Sequence, residues 1–220
     1  AVESYTALPF NQRPLPDRPL LRPAYQGSNP ISDIWSLQAL RMVAKYIVRA
    51  VEDPGDDEAR ANMLLAASYA GVGFGNAGVH LPHGMSYPVS GHVRTYRTPG
   101  YAIDHPLVPH GFSVILNAPA VFRFTAQANP QRHLQAADAL GADVSRVQPG
   151  DAGRVLADRI TWYMQRLNTP NGLRAIGYSS ADIPALVEGT LPQHRVTKLS
   201  PRPASPDELA ALFEDAMIGW

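Results

Sequence analysis

The amino-acid sequence predicts an all-α protein, a helical bundle. Three observations support this prediction. Apolar residues recur at spacings of three and four along most of the chain, capping residues precede several of these segments, and no run alternates polar and apolar residues long enough to indicate a sheet. The 220 residues are 45% hydrophobic, which is enough to bury a substantial core in one large or two small domains.

Two long helices are expected after a proline-rich segment near the start of the chain. Residues 9–30 contain six prolines, which deny the backbone helix and sheet hydrogen bonds, so an extended loop is expected there. Loops of this length are usually functional or interfacial. Ser32 is expected to cap the first long helix, which ends near Asp53. The second is expected to start at Asp56 and to continue through Ala70, buried on most of its faces.

The rest of the chain repeats the helical period. Further helical segments are expected at 112–124, 133–140, 155–167 and 183–187. Residues 91–106 contain a Pro-Gly pair and are expected to form a loop. The clearest helix start is Ser205, because a proline follows it and Glu208 supplies the acid of a capping box. The sequence therefore predicts one helical domain over residues 1–220.

The composition argues against several classes of function. Lys plus Arg and Asp plus Glu are 19 each, so no net charge draws the chain to nucleic acid or to an anionic membrane. Cysteine is absent, which excludes disulfides, thiolate metal sites and cysteine nucleophiles. No apolar run has the length of a bilayer span, and the start of the chain lacks the layout of a signal peptide. We expect a soluble protein of the bacterial cytoplasm, with the mitochondrial matrix as the alternative.

A Pro-His-Gly tripeptide occurs twice and contains the candidate metal ligands, His83 and His110. The proline fixes the chain before each histidine, and the glycine leaves space beside the backbone. Residues able to start a helix follow, and a helix N-terminus disfavours imidazolium, so both rings are expected to be neutral, the form that binds metal. From spacing alone, two ordinary helix-start histidines remain the favoured interpretation, because a metal needs four or more ligands. No role is assigned to the other histidines, His80, His92, His105, His133 and His194.

A glycine-rich segment precedes His83. Residues 73–78 match the pattern G-x-G-x-x-G, but a dinucleotide-binding loop requires a preceding strand, and a helical pattern precedes this one. The glycines are instead expected to let helices or a ligand approach the backbone. Phe74 and Asn76 lie among them and are candidates for contact with a ligand. The alternative is a packed phenylalanine and an asparagine in a turn.

Residues 71–88, together with Pro109-His110-Gly111, are similar to the corresponding segments of the iron-containing alcohol dehydrogenase family, especially its transhydrogenase branch. The likeness extends over nearly the whole chain, through 151–153, 181–187 and 195–199. In that family an N-terminal α/β domain binds the nicotinamide cofactor, and a C-terminal helical domain, of the dehydroquinate synthase-like type, supplies metal ligands. The resemblance implies that residues 1–220 are this helical domain, and that the cofactor domain lies upstream of the present chain.

The resemblance also implies roles for single residues. Two of the family's four metal ligands correspond to His83 and His110, and the Asp and His of a D-x-x-x-H helix are expected immediately before Ala1. Tyr87 takes the position where many relatives have a histidine credited with proton relay, so Tyr87 is the candidate catalytic residue. Phe74 is expected to lie near the nicotinamide ring.

Two further expectations follow from the same resemblance. Asn76 is the second candidate for contact with the cofactor. The loop 91–106 lengthens the interval between the two histidine ligands relative to shorter relatives, and it is expected to shape the substrate pocket.

The implied function is a metal-dependent oxidoreductase that transfers hydride between a small alcohol, hydroxyacid or aldehyde and NAD or NADP. The metal is expected to be Fe(II), with Zn(II) as the alternative, and the parent protein a homo-oligomer without nucleic-acid or membrane partners. The present chain is expected to be inactive alone. The alternative is a non-catalytic helical module whose contact region is the segment 9–30.

Overall fold

Eleven α-helices account for most of the structure, a computed structural model that describes residues 1–220. They are α1 (Val2–Thr6), α2 (Pro30–Glu52), α3 (Asp57–Ala77), α4 (Leu81–Gly91), α5 (His110–Ile115), α6 (Ala118–Thr125), α7 (Pro130–Ala139), α8 (Ala152–Arg166), α9 (Ile183–Thr190), α10 (His194–Thr197) and α11 (Pro206–Asp215). Short 3-10 helices lie at Phe10–Gln12, Pro19–Leu21, Ala126–Ala128, Pro149–Asp151, Leu173–Ile176 and Ser180–Asp182. The only strand-like pairs are two isolated bridges, so the predicted all-α class is confirmed.

The starts of the helices show which caps the sequence predicted correctly. The side chain of Asn29 caps α2 by accepting a hydrogen bond from the backbone N–H of Ser32 at 3.0 Å. Ser32 is therefore the residue whose N–H is capped, and its prediction as the cap was wrong. The start of α3 at Asp56 and Asp57 is confirmed, and Asp56 is its cap, since its carboxylate accepts from the N–H of Ala59 at 2.9 Å. Ser205 and Glu208 form the predicted capping box of α11.

The segment 112–124 was predicted as one helix and is two. Pro119 lies in the first turn of α6, where the absence of a backbone N–H costs nothing, and the chain turns at Asn117 before it. The other three predicted segments are confirmed as α7, α8 and α9. The main core lies among α4, α6, α8, α9 and α11, with Met85, Leu156 and Phe213 fully buried.

Small residues let α2 and α3 pack closely. A Cβ at Gly73 would overlap Ser36 Oγ, which is itself hydrogen-bonded to Ser4 Oγ at 2.6 Å. The prediction that α3 is buried on most faces was wrong, because its only fully buried residues are Ala59, Ala66, Gly73 and Ala77, and Leu64 is 74% exposed. Residues 73–77 are helical, which confirms that this segment is not a dinucleotide-binding loop.

The proline-rich segment returns to the C-terminal end of α3. The N–H groups of Gln26 and Gly27 donate to the carbonyls of Asn76 and Ala77 at 2.8 and 3.0 Å. Gly78 ends α3 with a φ of +87°, and a Cβ there would lie 2.7 Å from the Cβ of Tyr25. The glycine thus seats Tyr25 beside the start of α4. No helix of the structure has both the length and the hydropathy that crossing a membrane requires.

Candidate metal centre

A buried carboxylate on α1 holds the start of α4. Glu3 is 6% exposed, and its Oε1 accepts hydrogen bonds from the backbone N–H groups of His80 and His83 at 3.0 and 3.1 Å. These N–H groups belong to the first turn of α4, where no carbonyl of the helix is available to them. The second carboxylate oxygen, Oε2, lies 2.5 Å from Nδ1 of the His83 ring.

The contact with Glu3 fixes which nitrogen of His83 is available. Burial would raise the pKa of Glu3, but the hydrogen bond to the His83 ring, the electrostatic interaction with the His83 and His80 rings, and the hydrogen bond from the His80 N–H together lower this pKa to about 2. An ionised carboxylate can only accept, so Nδ1 of His83 carries the proton and donates. In the neutral tautomer that this contact selects, Nε2 carries the lone pair, which is the arrangement of a carboxylate–histidine–metal triad.

His110 is the first residue of α5 and lies beside His83. Its ring centroid is 5.2 Å from that of His83, with the two planes inclined at 64°. Burial and the proximity of His83 lower the pKa of His110, against the weaker opposing effect of Glu3. The ring is therefore neutral at physiological pH, as expected, although partial burial is the main cause.

The distance between the two rings fits shared coordination of one cation. Metal–nitrogen bonds of about 2.1 Å place each ring centroid about 3.2 Å from the ion, so two imidazoles on one ion lie about 4.6 to 5.3 Å apart at bond angles of about 90 to 109°. The observed 5.2 Å falls within this range. Within residues 1–220, however, no group of three or more His, Asp or Glu side chains could enclose a metal. This chain offers two imidazole donors, and a complete site needs more.

An apolar cavity of about 420 Å³ adjoins His83. Its polar lining residues are Glu3, His83 and Thr169, and α2, α3 and α8 supply most of the apolar lining. The hydroxyl of Tyr163, another lining residue, is already engaged with the carbonyl of Leu140 at 2.9 Å. Glu3 and His83 are therefore the main polar groups that line the cavity.

The other predicted site residues lie in different surroundings. The hydroxyl of Tyr87 accepts a hydrogen bond from Arg195 at 3.1 Å. Phe74 is 39% exposed on α3 and does not line the cavity. The side chain of Asn76 accepts from Asn29 at 3.0 Å, so it ties the end of α3 to the start of α2. No hydrogen bond connects Phe74 or Asn76 to the two histidines of the candidate centre.

Two histidines to which the sequence assigned no role are buried. Nε2 of His80 lies 3.0 Å from Thr6 Oγ1, and its Nδ1 has no hydrogen-bond partner. His133, expected in polar surroundings, is fully buried, with its Nδ1 2.8 Å from the carbonyl of Asn129. Burial lowers the pKa of both histidines to about 4, so both are neutral structural residues.

Glu3 and Arg195 are the two residues of this region that sequence reasoning missed. Glu3 is 80 positions from His83, and Arg195 is 108 positions from Tyr87. Neither lies in a local motif.

This arrangement defines a class of protein: a helical domain that brings two imidazoles together, one of them oriented by a buried carboxylate. The sequence model of the Fe-containing alcohol dehydrogenase family, C-terminal, matches residues 24–217. The chain belongs to this family.

Relatives and solved structures agree with this assignment. The chain is 62% identical over 218 residues to hydroxyacid-oxoacid transhydrogenase of Xenopus tropicalis and, equally, of Homo sapiens, covering 99% of this chain and 47% of each relative. Among solved structures, 1,3-propanediol oxidoreductase matches with a TM-score of 0.77 and 27% identity, over 88% of this chain and 48% of that one. An alcohol dehydrogenase from Oenococcus oeni shares the fold, with a TM-score of 0.80 and 21% identity over 98% of this chain and 48% of that one.

The chain spans about half the length of the curated relatives it matches. The names of both relatives place them in mitochondria, which gives no support to the bacterial cytoplasmic location expected from composition.

Proposed function

We propose that residues 1–220 are the metal-binding half of an iron-dependent hydroxyacid oxidoreductase whose nicotinamide cofactor, NAD or NADP, is bound by a part of the protein outside this chain. The observation that carries the proposal is the pairing of His83 and His110 at 5.2 Å, with Glu3 leaving Nε2 of His83 free. Family membership and the identity to hydroxyacid-oxoacid transhydrogenases support the reaction class.

Three residues of this chain would have separate roles at the metal. His83 and His110 would hold the metal, which as a Lewis acid would polarise the hydroxyl or carbonyl oxygen of the substrate while hydride passes to or from the nicotinamide. Glu3 would keep His83 in the tautomer that binds metal. Neutral imidazoles bind a cation without first losing a proton, and the lowered pKa of His110 serves this purpose.

The wider setting is proposed on the same basis. The names of the relatives favour the mitochondrial matrix over a bacterial cytoplasm. His110 is exposed, so ligands from another part of the protein could reach it and complete the site. Phe74, Asn76 and the loop 91–106 remain candidates for contact with the cofactor or substrate.

The test is metal content and turnover of a protein that contains this chain together with the upstream half present in its relatives. We expect His83→Ala and His110→Ala each to lower iron affinity by more than the roughly 10–100-fold that loss of an outer-shell partner costs, with a matching loss of NAD(P)-linked hydroxyacid oxidation. His105→Ala is the matched control, because His105 pairs only with exposed Asp104 at 2.9 Å. Full iron content and activity in a variant that carries both His83→Ala and His110→Ala would refute the assignment.

A further inference from the structure

Arg195 is fixed by two tyrosines rather than by a carboxylate. Its Nη1 donates to the hydroxyl of Tyr25 at 3.0 Å and its Nη2 donates to the hydroxyl of Tyr87 at 3.1 Å. The guanidinium also lies over the ring of Tyr25, 5.5 Å from its centroid. Seven other arginines of the chain form ion pairs with Asp or Glu, and Arg195 forms none. Its charge is therefore held in place without being neutralised.

The hydroxyls of the two tyrosines place further hydrogen-bond donors beside the Arg195 guanidinium. Each hydroxyl accepts from Arg195, and neither donates to any acceptor of the chain, so each O–H remains available. The guanidinium itself carries five N–H groups, of which the tyrosines occupy two. A planar group with two anionic oxygens matches such a set, because the guanidinium fork binds it with parallel hydrogen bonds.

The backbone positions these three side chains before any ligand binds. A Cβ at Gly84 of α4 would lie 2.6 Å from Thr197 Cγ2, so this glycine lets α10, which carries Arg195, pack directly on α4. Gly78 seats Tyr25 in the same way. Arg13 also donates to the backbone carbonyl of Tyr25, which adds a second positive charge nearby.

The cluster is one helical turn from the candidate metal centre. Tyr87 follows His83 by four residues on α4, which places their Cβ atoms on the same face and about 6 Å apart. A short substrate could thus present its hydroxyl at the two imidazoles and an anionic group at Arg195. A neutral alcohol would leave the guanidinium without an anionic partner.

We propose that Arg195, Tyr25 and Tyr87 form the subsite that binds the carboxylate of a hydroxyacid or oxoacid substrate. The proposal rests on the proposed function and deepens it, because it explains how a member of an alcohol dehydrogenase family selects acids. Tyr87, which takes the position of the relay histidine, here contributes to substrate recognition. The same donors could meet a phosphate of the dinucleotide, but their distance of one turn from His83 favours the substrate.

The experiment compares two substrates in the protein that contains both halves: a short unbranched hydroxyacid, and the diol in which CH₂OH replaces its carboxylate. We expect Arg195→Met to raise KM for the hydroxyacid about 10- to 100-fold, as loss of charged hydrogen bonds predicts, while kcat/KM for the diol and the iron content stay within about threefold. Arg195→Lys should recover part of the loss. Tyr25→Phe and Tyr87→Phe should each give a smaller rise.

Arg60→Met is the matched control, since Arg60 is an exposed arginine of α3 without an ion pair, about 27 Å along the helix from Gly78. An equal loss for hydroxyacid and diol, or a rise in KM for NAD(P) alone, would overturn the proposal. Calorimetric binding of the hydroxyacid, measured without turnover, separates a failure of the proposed function from a failure of the carboxylate subsite. If the protein oxidises neither substrate, the proposed function fails, whereas unchanged hydroxyacid affinity in Arg195→Met refutes the subsite alone.

Discussion

Glu3 determines the orientation of the His83 ring, and its replacement gives the sharpest prediction at the scale of single residues. Gln has the shape of Glu but cannot carry its charge, so Glu3→Gln weakens the hydrogen bond that holds Nδ1 of His83. We expect iron affinity of the protein with both halves to fall about 10- to 100-fold, as for other outer-shell partners of metal ligands. Metal titration at constant pH measures this.

The control for Glu3 is Glu52→Gln, because Glu52 makes a surface ion pair with Arg166 and has no contact with the centre. Surface pairs contribute about 0 to 1 kcal/mol, so this variant should keep its iron affinity and most of its stability. Equal iron affinity in the Glu3 and Glu52 variants would show that Glu3 only supports the backbone of α4.

His133 makes the stability of the fold depend on pH. Burial lowers its pKa to about 4, despite the hydrogen bond to the Asn129 carbonyl, whereas in the unfolded chain the pKa is about 6.5. Between these values the unfolded state binds a proton that the folded state does not, so the free energy of unfolding falls as pH decreases from about 6.5 to about 4. His133→Gln removes this contribution.

Urea unfolding near pH 7 and near pH 5 tests the effect of His133. The wild-type protein should lose about 2 kcal/mol more than His133→Gln over this interval, since one histidine with these two pKa values contributes that amount by linkage. His80 has a similarly lowered pKa and remains in both proteins, so the difference isolates His133. Parallel pH profiles for the two proteins would contradict the prediction.

The sequence predicted the site residues that lie in local motifs and missed those that act through distant parts of the chain. The Pro-His-Gly repeat is local, and it identified His83 and His110, which the structure brings to 5.2 Å. Glu3 and Arg195 act only across 80 and 108 positions of chain, so no local spacing could pair them with their partners. His133 was misplaced because polar sequence neighbours do not report the burial that packing against α6 imposes.

At the scale of helices, two glycines of α3 should respond oppositely to the same change. A Cβ added at Gly75 would meet open space, with nothing within 4 Å, so Gly75→Ala should stabilise the protein by up to about 1 kcal/mol through helix propensity. Gly73 faces Ser36 Oγ, which cannot move freely because it is buried and bonded to Ser4. Gly73→Ala should therefore cost about 1 to 3 kcal/mol from overpacking.

Urea denaturation of the two alanine variants checks this pair, and each is the control for the other, because they differ only in the face of α3 that they alter. If Gly73→Ala were as stable as Gly75→Ala, the close approach of α2 and α3 would not depend on Gly73.

The helices also show what periodicity predicts and what it misses. The period of 3.6 located most helices, since it reports which residues face a core. The position of a cap depends on backbone angles that the periodicity does not report, so Ser32 was predicted as the cap although Asn29 is the capping residue. A break such as that between α5 and α6 follows from Pro119 and the turn before it, whereas the apolar period continues across it. The burial of α3 could not be inferred, because periodicity does not say how many neighbours a helix has.

For the molecule as a whole, the exposed apolar surface of α3 and the incomplete set of metal ligands both indicate that another part of the protein packs against this chain. Leu64, Leu65 and Val72 are 74%, 43% and 53% exposed on α3, and clustered apolar residues of this kind mark interaction surfaces. The candidate centre supplies two imidazole donors, and the chain spans about half the length of its relatives. The metal site is therefore expected to need a second part of the protein.

That expectation can be measured as a difference in metal affinity between residues 1–220 and a protein that also contains the upstream half. Two imidazoles leave at least half of the coordination sphere to water, so the isolated chain should bind Zn(II) or Fe(II) only weakly, and His83→Ala should abolish this residual binding. Two further protein ligands should raise the affinity by several orders of magnitude, since each added donor replaces water at little additional ordering cost. Calorimetry on both proteins, with His105→Ala as the control in each, decides the matter. Equal affinity would mean that residues 1–220 hold the metal by themselves, and the division of the site between two parts of the protein would then be wrong.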